Sequence, residues 1–303
     1  MGKVVWSGGV EHWAKKSDIK LFLWEKKAAG DAPSKGTILF VHGSSMASQP
    51  TFDLSVPGRP DSSVMDWFAQ RGFDTWCMDN EGYGRSDKSR PINCDISNGA
   101  DDLAAGSEYI LSHNGGRPLL VYGISSGALK AALFAQRHPQ RVARLALDAF
   151  VWTGEGSPTL KERAKKLPEF RQKNRRPIDQ AFVHSIFTRD HPGTAEDRVV
   201  DAFADAILTL DDSVPTGTYV DMCSKLPLVD PEKVLAPTLI LRGEYDGIAG
   251  MDDLVRFFER LPNMDKQFSV MSGISHASFQ QKNYQRVYHL LHGFFSMPES
   301  QYP

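Results

Sequence analysis

Short runs of β-branched and aromatic residues, separated by turn residues, open the chain. Lys3-Val4-Val5-Trp6, Glu11 to Trp13 and Ile19 to Trp24 predict antiparallel strands. Thr37-Ile38-Leu39-Phe40-Val41 differs: it is a continuous apolar run, as expected of a strand covered on both faces. A helical stretch at Ser62 to Gln70, a strand at Phe73 to Met78 and a glycine-rich loop from Asp79 to Ser86 follow. Then come a helix near Asp101 to Ser112, a strand at Leu119 to Tyr122, a helix of small residues at Gly127 to Gln136 and a strand at Val142 to Leu147. Strands alternating with helices predict right-handed βαβ units, hence a mostly parallel central sheet with helices on both faces.

Between Phe150 and about Leu228 the alternation stops, and helical patterns such as Arg198 to Leu210 follow with no strand between them. Strand patterns return at Pro237 to Arg242 and Gln267 to Met271, and an amphipathic helix, Tyr284 to Phe295, closes the chain. The expectation is one α/β core domain, residues 1–150 and 229–303, carrying a helical cap inserted at 151–228. No repeat or long linker divides it.

Composition narrows the classes. The 303 residues are 41% hydrophobic and 24% charged, with net charge -2, which excludes disordered and collagenous chains. A near-neutral balance removes the long-range attraction that would make nucleic acid the partner. No window approaches the roughly 18–20 apolar residues of a membrane span, and the start MGKVVWSGGVEHW lacks a signal-peptide apolar region. A soluble, cytoplasmic protein without a membrane partner is expected. Cys77, Cys94 and Cys223 lack CxxC or CxxH spacing, so reduced thiols are expected rather than disulfides or a metal site.

The sharpest chemical signal is Gly123-Ile124-Ser125-Ser126-Gly127, set between a buried-type strand and a helix. A nucleophile at such a turn sits in strained backbone, and the flanking glycines remove side chains that would collide. Ser125 is then presented at a helix N-terminus, where the Ser126 N–H can stabilise an oxyanion. Val41-His42-Gly43-Ser44-Ser45, after the first buried strand, offers the Ser44 N–H as the second donor, with His42 read as a structural histidine. His276, in a polar loop between the last strand and the last helix, is the candidate general base. Asp246, in Gly243-Glu244-Tyr245-Asp246, is the leading candidate to orient it, with Asp148 and Glu244 as alternatives. Ser125, Asp246 and His276 stand in the chain order of this triad type.

These motifs, with Asp79-x-x-Gly82-x-Gly84-x-Ser86, resemble the α/β-hydrolase fold superfamily, in particular its cap-bearing serine hydrolases, over about Ile38 to Phe295. The resemblance implies a Ser125 nucleophile, a His276 base, an Asp246 orienter, an oxyanion hole from the N–H groups of Ser44 and Ser126, and no cofactor. Serine at the nucleophile position departs from the haloalkane dehalogenase and epoxide hydrolase branches, which use aspartate there. A carboxylic ester is the expected small-molecule substrate. The same triad also serves thioesterases, amidases, lactonases, carbon–carbon bond hydrolases and acyltransferases, and the scaffold also supports non-catalytic ligand-binding proteins.

The cap is harder to read. Lys161 to Arg176 holds eight Lys or Arg. A substrate anion would be attracted to it, but the preferred reading is a solvated face answering the acids Glu196, Asp197, Asp201, Asp205, Asp211 and Asp212. Phe150, Trp152, Phe182 and Phe187, with Phe203, are candidates to line a substrate pocket, which the long loop Ser48 to Pro60 would also border. No motif bears on oligomeric state.

Overall fold

A computed structural model describes residue 6, residues 8–299 and residue 301. The strand expected at Lys3 to Trp6 falls, Trp6 apart, outside the described residues. The first pair is β1 (Val10–Lys16) and β2 (Ile19–Lys26), which run antiparallel in full register from Val10↔Glu25 to Lys16↔Ile19. Next come β3 (Thr37–Val41), the short α1 (Ser48–Phe52), α2 (Val64–Ala69) and β4 (Asp74–Met78). Both strands are buried at every position, β3 through its apolar run and β4 with Asp74 and Thr75 hydrogen-bonded to Ala28 and Lys26. Then follow α3 (Ile96–His113), β5 (Leu119–Ile124), α4 (Ser126–Arg137) and β6 (Val142–Asp148).

The segment after β6 contains α5 (Pro158–Ala164), α6 (Leu167–Gln172), β7 (Arg175–Pro177), α7 (Gln180–Thr188), α8 (Asp197–Leu208), β8 (Ser213–Pro215) and α9 (Gly217–Ser224). It is therefore not purely helical: β7 and β8 pair antiparallel in a separate ribbon. Each strand has three residues and ends in proline, too little for a period-two pattern to register. The core resumes with β9 (Thr238–Gly243), α10 (Met251–Arg260), β10 (Lys266–Met271) and α11 (Tyr284–Phe295).

The main sheet has eight strands in the order β1-β2-β4-β3-β5-β6-β9-β10, parallel from β4 onward. The chain leaves β3 first toward β4 and then toward β5, so strand order reverses at β3. A crevice forms at such a reversal, beyond the carboxyl ends of the strands. One apolar core packs both faces of this sheet, and a second cluster, centred on Val183, Phe187, Phe203 and Ile207, binds the inserted segment to Met46, Leu54 and Tyr83 of the core. Burial at these residues, at about 25 cal/mol per Å² of apolar surface, together with Leu160, Tyr219 and Met222 in the main core, fixes the insertion over the crevice. Among the described residues no helix is long and apolar enough to cross a membrane.

Candidate active site

Four strand ends deliver the polar groups. Ser44 lies three residues past β3, Ser125 directly follows β5, Asp246 lies three past β9 and His276 five past β10. Register explains the meeting of the first two, because Val41 pairs with Gly123. Ser125 adopts φ 58 and ψ -125, a conformation that costs on the order of 1–3 kcal/mol for a residue with a side chain. Its N–H donates to the Asp148 carbonyl at 2.8 Å, which anchors the turn to β6. The turn demands both glycines: a Cβ on Gly123 would strike the Gly127 carbonyl, and one on Gly127 would strike the carbonyls of Val41 and His42. No side-chain adjustment relieves a clash with backbone.

Ser125 Oγ stands 3.0 Å from His276 Nε2, and His276 Nδ1 stands 3.0 Å from Asp246 Oδ1. Asp246 Oδ1 also accepts the Ile248 N–H at 2.9 Å. Burial alone would raise the Asp246 carboxyl, but the His276 partner and the Ile248 amide hold it below its ordinary value. The two other carboxylates weighed for this role are engaged elsewhere. Asp148 is fully buried, accepts the Tyr122 hydroxyl at 2.6 Å, and is pushed by that burial up to about 7. Glu244 is exposed and accepts the Gly273 N–H at 2.8 Å, bracing the loop that carries His276.

Ser44 and Ser126 face each other, Ser44 Oγ donating to Ser126 Oγ at 2.7 Å while receiving the Thr218 hydroxyl of α9 at 2.9 Å. Ser126 begins α4, so its N–H has no acceptor inside the helix. Among the described residues neither its amide nor that of Ser44 meets a protein acceptor. His42 is buried, with Nδ1 on the Gly43 carbonyl at 2.8 Å and Nε2 receiving the Asn80 N–H at 3.0 Å. Burial and Lys130 keep it neutral by lowering its pKa well below the usual range, so it serves as a strut of the Ser44 loop.

Of the aromatic residues expected in the pocket, only Phe182 borders the main cavity, a space of about 880 Å³. Phe150 is fully buried against Phe257, and Phe187 packs inside the insertion against Phe203. Trp152 donates its indole N–H to the Val229 carbonyl and borders a separate pocket with Arg256 and Arg260. Their apolar character satisfies packing, which sequence reasoning cannot distinguish from a lining role. Directly over Ser125 and His276 lies a space of only about 20 Å³, bordered by Ser44, Ser45, Met46, Arg163, Ile186, Arg189 and Tyr219. The loop Ser48 to Pro60 begins with the buried α1 and borders neither space.

The basic stretch meets the expected solvated face only in part, with Lys161, Lys165, Lys166, Arg171 and Lys173 exposed. Three of the acids expected to answer it have other partners, Lys88 for Asp211, His184 for Asp201 and Arg198 for Glu196. Arg163 and Arg176 turn inward instead, 3.8 and 4.1 Å from the Tyr219 ring. Neither Tyr219 nor Arg189 was among the residues singled out from sequence, and nothing local in their surroundings marks them.

A model of the family described as Hydrolase_4, serine aminopeptidase S33, matches residues 32–283. Solved structures with the same fold include a monoglyceride lipase from Saccharomyces cerevisiae (16% identity, TM-score 0.72, 95% of each chain covered). Another is a malate-bound thermophilic esterase from Thermogutta terrifontis (20% identity, TM-score 0.68, covering 95% of this chain and 98% of that one). A third is the thioesterase domain from the curacin biosynthetic pathway (13% identity, TM-score 0.65, covering 94% and 99%). No curated protein matches the sequence significantly.

Proposed function

The chain belongs to the serine aminopeptidase S33 family of α/β hydrolases, and from that premise we propose that it is a serine hydrolase whose substrate is a carboxylic ester. The observation that carries this reading is the unbroken relay from Asp246 through His276 to Ser125, at 3.0 Å in both links. In the proposed reaction His276 Nε2 takes the Ser125 proton as Oγ attacks the ester carbonyl carbon. The oxygen that gains the electron pair receives the N–H groups of Ser44 and Ser126. Collapse of this intermediate expels the alcohol, to which His276 returns the proton, leaving Ser125 acylated. Water then repeats the sequence and releases the acid and free Ser125. Asp246 holds one imidazole tautomer and stabilises the imidazolium formed in each half.

The inserted segment acts in this reading as a cap, since Arg163, Ile186, Arg189 and Tyr219 close the space over Ser125. An ester rather than the amide of an aminopeptidase is favoured because that inner space is bordered by two arginines and no carboxylate. A substrate's free ammonium group would be repelled there. The test is a panel of matched p-nitrophenyl esters, thioesters and anilides on wild type and Ser125→Ala. Esters turned over faster than the others, and only by wild type, support the reading. Anilides turned over faster, or esters cleaved equally by the variant, overturn it.

A further inference from the structure

Tyr219 is buried and carries a cation on its ring from each of two elements, Arg163 of α5 and Arg176 of β7. Arg176 is only 8% exposed and lies also over Phe182 at 4.8 Å. Its Nη2 donates to the Ser44 carbonyl at 3.1 Å and to Ser45 Oγ at 2.7 Å, while its Nε and Nη1, both buried, have no partner. The Arg163 guanidinium, over the Tyr219 ring, makes no hydrogen bond or ion pair among the described residues. Arg189 reaches only Asp190, at 3.4 Å. Three guanidinium groups thus share one carboxylate. Burial opposes ionisation of the Tyr219 phenol, yet Arg163, then Arg176, bring it down to about 7, which reflects the uncompensated positive charge around it.

The cluster's position gives it a use. Arg163, Arg189 and Tyr219 border both the small space over Ser125 and the cavity of about 880 Å³ beside it. Most acids at the wider cavity have partners, Glu162 in Lys165, Glu244 in the Gly273 N–H, Asp246 in His276 and Asp190 in Arg189, which leaves the exposed Glu169. Orphaned buried guanidinium donors are costly unless an anion completes them, and their fork matches a carboxylate in two-point contact.

We propose that Arg163, Arg176 and Arg189, set around Tyr219, receive a carboxylate carried by the substrate, so that the ester cleaved at Ser125 is a monoester of a short diacid. The inference rests on the serine-hydrolase reading above. A single carboxylate, rather than a phosphate with three oxygens and more charge, suits a cluster that opens onto so small a space over the nucleophile.

The test has two arms. In the first, kcat/KM is measured for monoethyl and diethyl glutarate. Wild type is expected to favour the monoester by about tenfold or more, as for one charge-assisted contact. Arg163→Gln and, independently, Arg189→Gln bring that ratio toward one. Both side chains keep solvent contact, whereas Arg176 is buried and braces the Ser44 loop, so these two substitutions disturb packing least. In the second arm, free glutarate is titrated calorimetrically into Ser125→Ala, with inorganic phosphate as competitor, and tyrosinate absorbance is followed near neutral pH. Glutarate is expected to bind and to reduce tyrosinate, since the carboxylate replaces the phenolate as counter-charge.

A monoester no better than the diester, with no glutarate binding, overturns the proposal. Phosphate binding more tightly than glutarate overturns the assignment to a carboxylate. Glutarate binding by a protein that hydrolyses no ester leaves the anion site standing and overturns the serine-hydrolase reading instead.

Discussion

The carboxyl edge of the sheet and the inserted segment above it line one cleft, but their residues are held by constraints of different range. At the sheet edge the constraint is local: Ser125 needs φ 58, and Gly123 and Gly127 must lack side chains because backbone carbonyls occupy the space. Such a requirement leaves a mark within five consecutive residues. In the insertion, Arg163, Arg176 and Tyr219 come from α5, β7 and α9 and Arg189 directly follows α7, and their meeting depends on packing of those elements against both apolar clusters. That assembly leaves no mark in any window. The candidate chemistry is thus built by short-range backbone geometry, while the groups that would select a substrate are placed by long-range packing.

Four substitutions probe this contrast, in falling order of expected effect. Asp246→Asn removes the charge while keeping the shape, and kcat for ester hydrolysis should fall by about 10⁴ with an unchanged fold by circular dichroism. A loss below tenfold would mean that His276 is oriented by something other than Asp246. Asp148→Asn tests the buried acid. Asp148 holds its proton to about 7 in the fold but loses it near 3.8 in the unfolded chain. Wild-type stability therefore falls between those two pH values, by on the order of 4 kcal/mol, and levels off above the upper one. Asparagine does not ionise and still accepts the Tyr122 hydroxyl, so urea unfolding across this range should show the variant gaining steadily on wild type. A pH-independent difference would mean that Asp148 titrates normally.

Gly127→Ala places a methyl against two backbone carbonyls and should cost about 3 kcal/mol in the same urea assay. Should the protein lose less than about 1 kcal/mol, the turn is more plastic than the sheet-edge account allows. Glu244→Ala frees the loop bearing His276, with an expected two- to fivefold fall in kcat, comparable to one lost hydrogen bond. Gln at this position retains an acceptor for the Gly273 N–H and should restore the rate.

The same contrast explains what was legible beforehand. Buried strands showed as apolar runs, and α11 appeared at Tyr284–Phe295 as its amphipathic period implied. Positions after strands identified the neighbourhoods of Ser44, Ser125, Asp246 and His276 because parallel strands bring their ends to one side. Helix α10 was overlooked although Asp252 and Asp253 in its first turn, and buried Leu254 and Phe257, offered a usable pattern. Asp253 has a further duty that no pattern carries: it is buried and accepts the N–H groups of Trp152 and Thr153, at the root of the insertion. Phe150 and Phe187 looked like pocket residues because burial and lining draw on the same side chains. Arg163 and Arg176 sit in a run of charges whose inward members only tertiary packing distinguishes.

Central to the account is an activated serine at the β5–α4 turn. It is tested most directly by intact-protein mass spectrometry after fluorophosphonate treatment of wild type and Ser125→Ala. The account predicts a single adduct on wild type that maps to Ser125 and is absent from the variant. Folded wild-type protein that stays unmodified, or an adduct that persists in the variant, would contradict it.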